Sequence, residues 1–243
     1  MSEITAILVH GGGQGPWAYD RVKSKLEARG TFGQVMVPKL ATSGSTKHTM
    51  SDDIAVVEQS LEAALATSYA VVLVGHSIGA TIAAAALQKL LPEDIQKVKS
   101  LIMIAGVIIP PGMSVAEFGA PPPYLEVNEN TRNFKRELLA TLMYNDMGKT
   151  DPELESYMAK NDFSSQGLYA EKCPWSPYNA EQAALPLVYI MTAQDQVCAM
   201  PYQHMFVAGM PKEQTTVVEL DAGHMVTLTD PDRITDEIVR VTK

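Results

Sequence analysis

The chain has 243 residues, of which 46% are hydrophobic, so it is long enough for one well-buried core, and we expect a single domain over residues 1–243. The formal net charge of -9 argues against nucleic acid or an anionic membrane surface as a partner. Two cysteines form no disulfide framework, no apolar stretch approaches the roughly 18 residues of a membrane span, and the first residues lack a signal-peptide pattern. We therefore expect a cytoplasmic protein.

Apolar strands alternate with amphipathic helices through the first 109 residues. Strands are predicted at residues 5–9, 34–40, 71–74 and 98–109, and helices at 16–30, 49–66 and 78–91. Thr49, followed three residues later by Asp52, has the spacing of a capping box at the start of the second helix. This alternation predicts βαβ units and a doubly wound parallel sheet.

The alternation stops at residues 110–186, which contain nine of the fifteen prolines. Helices are predicted at 131–147 and 151–162, and no strand pattern is convincing. We interpret this segment as an all-helical cap, or lid, over an active site, the alternative being that it only covers one end of the sheet. The alternation then resumes, with strands at 185–191 and 215–220 and helices at 202–208 and from 231 to the end. The expected fold is therefore α/β, with a doubly wound, mostly parallel six-stranded sheet flanked by helices and a helical cap inserted after the fourth strand.

A Gly-x-Ser-x-Gly sequence, from Gly75 to Gly79 and called the elbow below, joins the third strand to an alanine-rich helix. A serine that attacks a carbonyl has to stand on a turn too tight for flanking side chains, and the two glycines provide that room. The following helix would direct its N-terminal amides toward developing negative charge. The alternative is that Ser77 is an ordinary cap between a strand and a helix.

Two later strands end in residues that could activate Ser77. Asp195 follows the fifth predicted strand and His224 follows the sixth, which is the edge where open α/β sheets place their ligand sites. His224 would take the serine proton and return it to the leaving group, and Asp195 would fix the imidazole tautomer. Asp221 is an alternative acid, but a residue three positions before His224 cannot easily reach behind its ring.

A glycine run after the first strand, beginning at His10, is expected to supply part of an oxyanion hole through the backbone N–H of Gly12, with Ile78 N–H as the second donor. A flexible turn is the alternative. Neither a dinucleotide nor a phosphate-loop pattern is present, and no ligand cluster predicts a metal, so we expect no cofactor. Two other histidines, His10 and His76, are interpreted as structural. Three other carboxylates are interpreted as helix caps or solvated groups: Asp146, Asp151 and Asp162.

These motifs, together with Asp221-Ala222-Gly223-His224-Met225, resemble the α/β-hydrolase superfamily over essentially the whole chain. Within it, the sequence is similar to the branch of plant methylesterases, hydroxynitrile lyases and bacterial carboxylesterases. In the lyases of that branch a lysine follows the catalytic histidine and a threonine follows the oxyanion-loop histidine. Here Met225 and Gly11 stand at those places, as in the esterases. The resemblance therefore favours hydrolysis.

The predicted function is a serine hydrolase that cleaves medium-sized, largely apolar carboxylic esters through an acyl-enzyme. A hydroxynitrile lyase, a lactonase, a cofactor-free dioxygenase and a small-molecule receptor with a hydrolase pocket are the alternatives. The expected partner is a small-molecule ester, and a homodimer is left open. The residues expected to line the substrate pocket are Gly11, Trp17, Phe118, Tyr124, Tyr144, Trp175 and Met225.

Overall fold

The structure, a computed structural model, describes residues 3–148, 151–177 and 185–242. The strands are β1 Ile4–Val9, β2 Phe32–Met36, β3 Ala70–His76, β4 Val98–Ile104, β5 Leu125–Val127, β6 Thr131–Phe134, β7 Ser164–Ser165, β8 Leu187–Thr192 and β9 Thr215–Leu220. The helices are α1 Asp20–Arg29, α2 Met50–Thr67, α3 Gly79–Ala85, α4 Pro92–Ile95, α5 Arg136–Leu138, α6 Leu154–Lys160, α7 Gly167–Ala170, α8 Met200–Ala208, α9 Val226–Thr229 and α10 Pro231–Arg240. Short 3₁₀ turns at Pro16–Tyr19 and Val115–Phe118 and a π-helical turn at Leu139–Met143 complete the set.

The main sheet has six strands in the order β2-β1-β3-β4-β8-β9, and every neighbouring pair is parallel. The predicted doubly wound parallel sheet is therefore confirmed. The chain moves from β1 outward to β2 and then back across β1 to β3, so the direction of winding reverses between β1 and β3. Crevices at such reversals, at the carboxyl ends of the strands, are where open α/β sheets bind ligands.

Hydrophobic side chains cover both faces of this sheet because its strands are apolar on both sides. One face packs on α2, α3 and α8, and the other packs on α1 and α10. The predicted capping box of α2 is present, with the Thr49 N–H donating to Asp52 Oδ2 at 2.9 Å. The helix predicted at 78–91 is shorter than expected, because α3 ends at Ala85 and the chain continues in turns closed by i to i−3 hydrogen bonds.

The segment after β4 corrects the prediction of an all-helical cap. It contains an antiparallel three-stranded sheet in the order β5-β6-β7, together with short helical turns. The helix predicted at 131–147 is instead strand β6, the single turn α5 and a π-helical turn. The helix predicted at 151–162 is present as α6. Residues 149–150 and 178–184 of the predicted 110–186 insertion lie outside the described residues.

Backbone hydrogen bonds attach this small sheet to the loops that follow β1 and β2. Asp162 N–H donates to Gly13 O at 2.8 Å, and Ser165 N–H donates to Thr42 O at 3.0 Å. The cap segment therefore lies directly against the glycine run after β1. In the part of the chain that the structure describes, no helix combines the length and apolarity needed to cross a membrane. The cytoplasmic location stays a prediction.

Candidate active site

Ser77 lies between β3 and α3 in a left-handed backbone conformation, with φ of +54°. Such a conformation is strained for a residue with a side chain and is typical of functional turns. Close packing maintains it. A Cβ on Gly75 would lie 2.5 Å from Ala80 Cα, and a Cβ on Gly79 would lie 2.4 Å from His10 O. The two glycines thus let α3 approach both its own strand and the end of β1, which brings Ser77 beside the glycine run.

His224 and Asp195 form a buried pair, with His224 Nδ1 2.8 Å from Asp195 Oδ2. Burial by itself would raise the pKa of Asp195, but the His224 charge, its hydrogen bond and the N–H groups of Cys198 and Val197 outweigh burial and hold that pKa below its ordinary value. Asp195 is therefore a carboxylate, and the Nδ1–H of His224 donates to it. This leaves Nε2 of His224 as the free nitrogen. Asp221 instead accepts a hydrogen bond from Gln194 Nε2 at 2.7 Å.

Two residues outside the pair hold the loop that carries His224. His76 Nε2 donates to His224 O at 2.8 Å, and burial, with the nearby His224, lowers the pKa of His76 to about 3, so its ring is neutral. Asp146 Oδ2 accepts the Gly223 N–H at 2.6 Å and the Thr229 hydroxyl at 2.8 Å. His76 is thus the structural histidine that was predicted. Asp146 is a bridge to the His224 loop, which corrects its interpretation as a helix cap or solvated carboxylate.

His10 fixes the orientation of the peptide that joins Gly11 to Gly12. His10 Nδ1 lies 2.9 Å from Gly11 O and His10 Nε2 accepts the Leu40 N–H at 3.1 Å, while burial lowers the pKa of His10 to about 4. The neutral ring thus donates from Nδ1 to the Gly11 carbonyl. Because a trans peptide points its N–H away from its carbonyl, the Gly12 N–H faces the opposite side. Among the described residues, neither Gly12 N–H nor Ile78 N–H has an acceptor.

Gln14 connects the parts of this site, although nothing in the sequence singled it out. Its Oε1 accepts the Gly11 N–H at 3.0 Å and lies 3.2 Å from His76 Nδ1, and its Nε2 donates to Met225 Sδ at 3.1 Å. The Gly11 N–H is therefore occupied, whereas the Gly12 N–H has no acceptor in the described part of the chain. Gln14 thus ties the glycine run to the His224 loop through Met225, and its side chain packs against the ring of His76.

Two adjoining cavities of about 130 and 240 Å³ meet at Ser77, and His224, Gly12 and Ile78 line the smaller one. The Ser77 hydroxyl makes no hydrogen bond within the described part of the chain. Of the residues expected to line the pocket, Phe118 and Tyr124 do so. Gly11 lies against the elbow, since a Cβ on it would be 3.1 Å from Ser77 Cβ.

The other four expected pocket residues do not line these cavities, which corrects the prediction for them. Tyr144 and Met225 are fully buried in a separate apolar cluster beneath the cap, and Trp17 packs at its edge with its ring 6.1 Å from that of Tyr157. Trp175 belongs to the main core. These large side chains stabilise the cap and the sheet by packing.

Arg132 and Tyr169 are cap residues that the sequence did not single out and that line the larger cavity. Tyr169 also lines the smaller one, and its hydroxyl lies 2.6 Å from where a Cβ on Gly12 would be. Residue type alone gave no signal for either, because an arginine and a tyrosine in a polar segment are usually surface residues.

The architecture is that of an α/β hydrolase. It combines a parallel six-stranded sheet, a serine on the elbow, a buried His–Asp pair and, within the described residues, an unpaired backbone N–H in the same cavity as the serine. The model of the alpha/beta hydrolase family matches residues 6–237, and the chain belongs to that family.

Known proteins of this architecture resemble the chain over nearly its whole length. Norfluorocurarine synthase 2 from Strychnos is 24% identical, with 98% of this chain and 94% of the relative covered. A pyrethroid hydrolase from Sphingobium faniae has a TM-score of 0.76 at 22% identity, covering 98% of this chain and 96% of that one. A methylesterase from Arabidopsis has a TM-score of 0.75 at 21% identity, covering 98% of both chains. At these identities the solved structures show the shared fold.

Proposed function

We propose that the protein hydrolyses carboxylic esters through an acyl-enzyme on Ser77. The observation that carries the proposal is the 2.8 Å His224–Asp195 pair at the edge of the cavity that contains Ser77. The methylesterase and the pyrethroid hydrolase, both named for ester or hydrolase activity, support the choice of reaction.

The first half of the proposed reaction forms the acyl-enzyme. Ser77 Oγ attacks the ester carbonyl carbon while its proton passes to His224 Nε2, which is the nitrogen left free by Asp195. The carbonyl oxygen becomes an oxyanion and accepts hydrogen bonds from the Gly12 and Ile78 N–H groups. The intermediate then expels the alkoxide, which takes the proton from His224 and leaves as the alcohol.

The second half releases the acid by the same chemistry. A water molecule gives a proton to His224 Nε2 as it attacks the acyl carbon, and the collapsing intermediate returns that proton to Ser77 Oγ. The charge that develops on His224 is stabilised by Asp195, whose depressed pKa keeps it ionised. The mostly apolar walls of the larger cavity, among them Val107, Ile109 and Phe206, suit the apolar part of an ester.

Replacing Ser77 by alanine tests this function. We expect Ser77→Ala to lower kcat for p-nitrophenyl butyrate by about 10⁴-fold or more, with an unchanged circular dichroism spectrum. Retention of hydrolysis by the folded variant would refute the proposal. The lyase and lactonase alternatives are tested by incubating the wild-type protein with mandelonitrile and with a panel of lactones. Turnover of those substrates without ester hydrolysis would also count against the proposal.

A further inference from the structure

Arg132 is a buried cation whose charge has no partner in the described chain. Arg132 is only 7% exposed to solvent. Its Nε donates to Gln166 Oε1 at 3.0 Å, and its guanidinium carbon lies 4.3 Å from the centre of the Tyr169 ring. No acidic side chain among the described residues forms an ion pair with it, and its two terminal nitrogens have no acceptor there. The guanidinium is thus held in place by two neutral groups.

A buried arginine is ordinarily paired with a carboxylate, because removing its charge from water is costly. Asp162 is one candidate, because both residues line a small cavity of about 40 Å³. Its Oδ1 accepts the Phe163 N–H at 2.8 Å instead, and it makes no ion pair with Arg132. The guanidinium remains charged, and its terminal nitrogens keep some exposure, so they can bind an acceptor that enters the cavity.

The position of Arg132 links this unpaired charge to the proposed reaction. Arg132 and Ser77 line the same cavity of about 240 Å³, and Arg132 is the sole charged residue among the described residues that line it. The other walls are mainly aliphatic, aromatic and proline side chains. In such surroundings a charge-assisted hydrogen bond to an anion is worth more than in water.

We propose that Arg132 binds a carboxylate group of the substrate, so that the preferred esters are monoesters of dicarboxylic acids. This inference rests on the proposed ester hydrolysis at Ser77 and adds the substrate class. The planar guanidinium offers two parallel N–H donors to a carboxylate, with Gln166 and Tyr169 fixing its orientation. The apolar walls between Arg132 and Ser77 would contact the methylene chain that joins the two ends of such a substrate.

Two esters of equal chain length separate this role from a structural one. The acyl chain of monoethyl adipate ends in a carboxylate, whereas that of ethyl hexanoate ends in a methyl group. The hydrolysis of both esters is followed by pH-stat titration. We expect Arg132→Met to lower the ratio of kcat/KM for monoethyl adipate over ethyl hexanoate by about 10-fold or more, mainly by raising KM for the adipate ester. Arg136→Met is the matched control, because Arg136 is an exposed cap arginine that pairs with Glu155. The control should leave the ratio unchanged.

An unchanged ratio in folded Arg132→Met, or an equal loss for both esters, would overturn the proposal. If Arg132→Met does not fold, Arg132→Lys replaces it, and a ratio as high as that of the wild type would then overturn the proposal, because an ammonium lacks the bidentate fork.

Binding is measured separately from catalysis by the rise in Tm with adipate. We expect wild type and Ser77→Ala to respond and the Arg132 variant not to respond. Failure of hydrolysis with retained adipate binding would refute the proposed function alone, and absence of a Tm response in the wild type would refute the carboxylate site.

Discussion

The approach of α3 to the end of β1 can be tested by adding one methyl group at Gly79. A Cβ there would lie 2.4 Å from His10 O and 2.6 Å from Val9 O, about 1 Å short of ordinary van der Waals contact. Both atoms belong to the backbone, so the strain cannot be relieved by a side-chain rotation. Gly79→Ala therefore has to move the elbow away from the glycine run by about 1 Å.

Such a displacement separates Ser77 from the Gly12 N–H that would bind the oxyanion. A misplacement of about 1 Å in a catalytic arrangement costs on the order of 10²-fold in rate, and overpacking lowers the free energy of unfolding by about 1–3 kcal/mol. We expect both effects in Gly79→Ala, measured as kcat/KM for p-nitrophenyl butyrate and by urea unfolding. Gly148→Ala is the control, because no atom lies within 4 Å of a Cβ at that exposed position. A folded Gly79→Ala variant with wild-type kcat/KM would show that this close approach does not position the site.

Two further substitutions test the acid of the pair and a buried carboxyl group. Asp195→Asn should lower kcat on the order of 10⁴-fold by favouring the wrong His224 tautomer, and Asp221→Asn should not; equal losses would contradict the assignment. Burial raises the pKa of Asp53 from 3.8 to about 6, so this group favours the folded state at low pH and loses about 3 kcal/mol of that contribution as pH rises from about 4 to 6. Urea unfolding should show the free energy of unfolding of wild type falling by about 3 kcal/mol relative to that of Asp53→Asn between about pH 4 and 6, and a pH-independent difference between the two would refute this.

The main sheet and the ends of its strands could be predicted from local sequence patterns. Buried parallel strands are continuous apolar runs, and the residues after them, including Ser77, Asp195 and His224, necessarily meet at one edge of the sheet. Glycines on both sides of a serine indicate a turn too tight for neighbouring side chains, so Gly75 and Gly79 could be interpreted without a structure. Chain order and strand position together are therefore the basis on which these three residues were predicted.

The cap sheet could not be predicted, because its strands have only two to four residues and show no clear alternation. The spacing of Phe134, Leu138 and Leu142 imitates one face of a helix, and only the second half of that stretch is helical. Strand β6 pairs with β7 across about thirty residues of chain, so its formation depends on tertiary contacts.

The supporting residues of the site were missed for a similar reason. Gln14 contacts Met225 and Asp146 contacts Gly223, each across a long separation in sequence. Neither residue type marks a site by itself. Arg132 likewise becomes informative only when its burial and its missing partner are known.

If the protein hydrolyses esters as we propose, an ester of Ser77 forms in every turnover and can be trapped. The wild-type protein is mixed with p-nitrophenyl butyrate, quenched with acid within the first turnovers and digested for mass spectrometry. We expect a butyryl group on the peptide that contains Ser77, and none on the corresponding peptide of Ser77→Ala treated in the same way. Hydrolysis that proceeds with no acyl group on Ser77, or with the acyl group on another residue, would contradict the proposal.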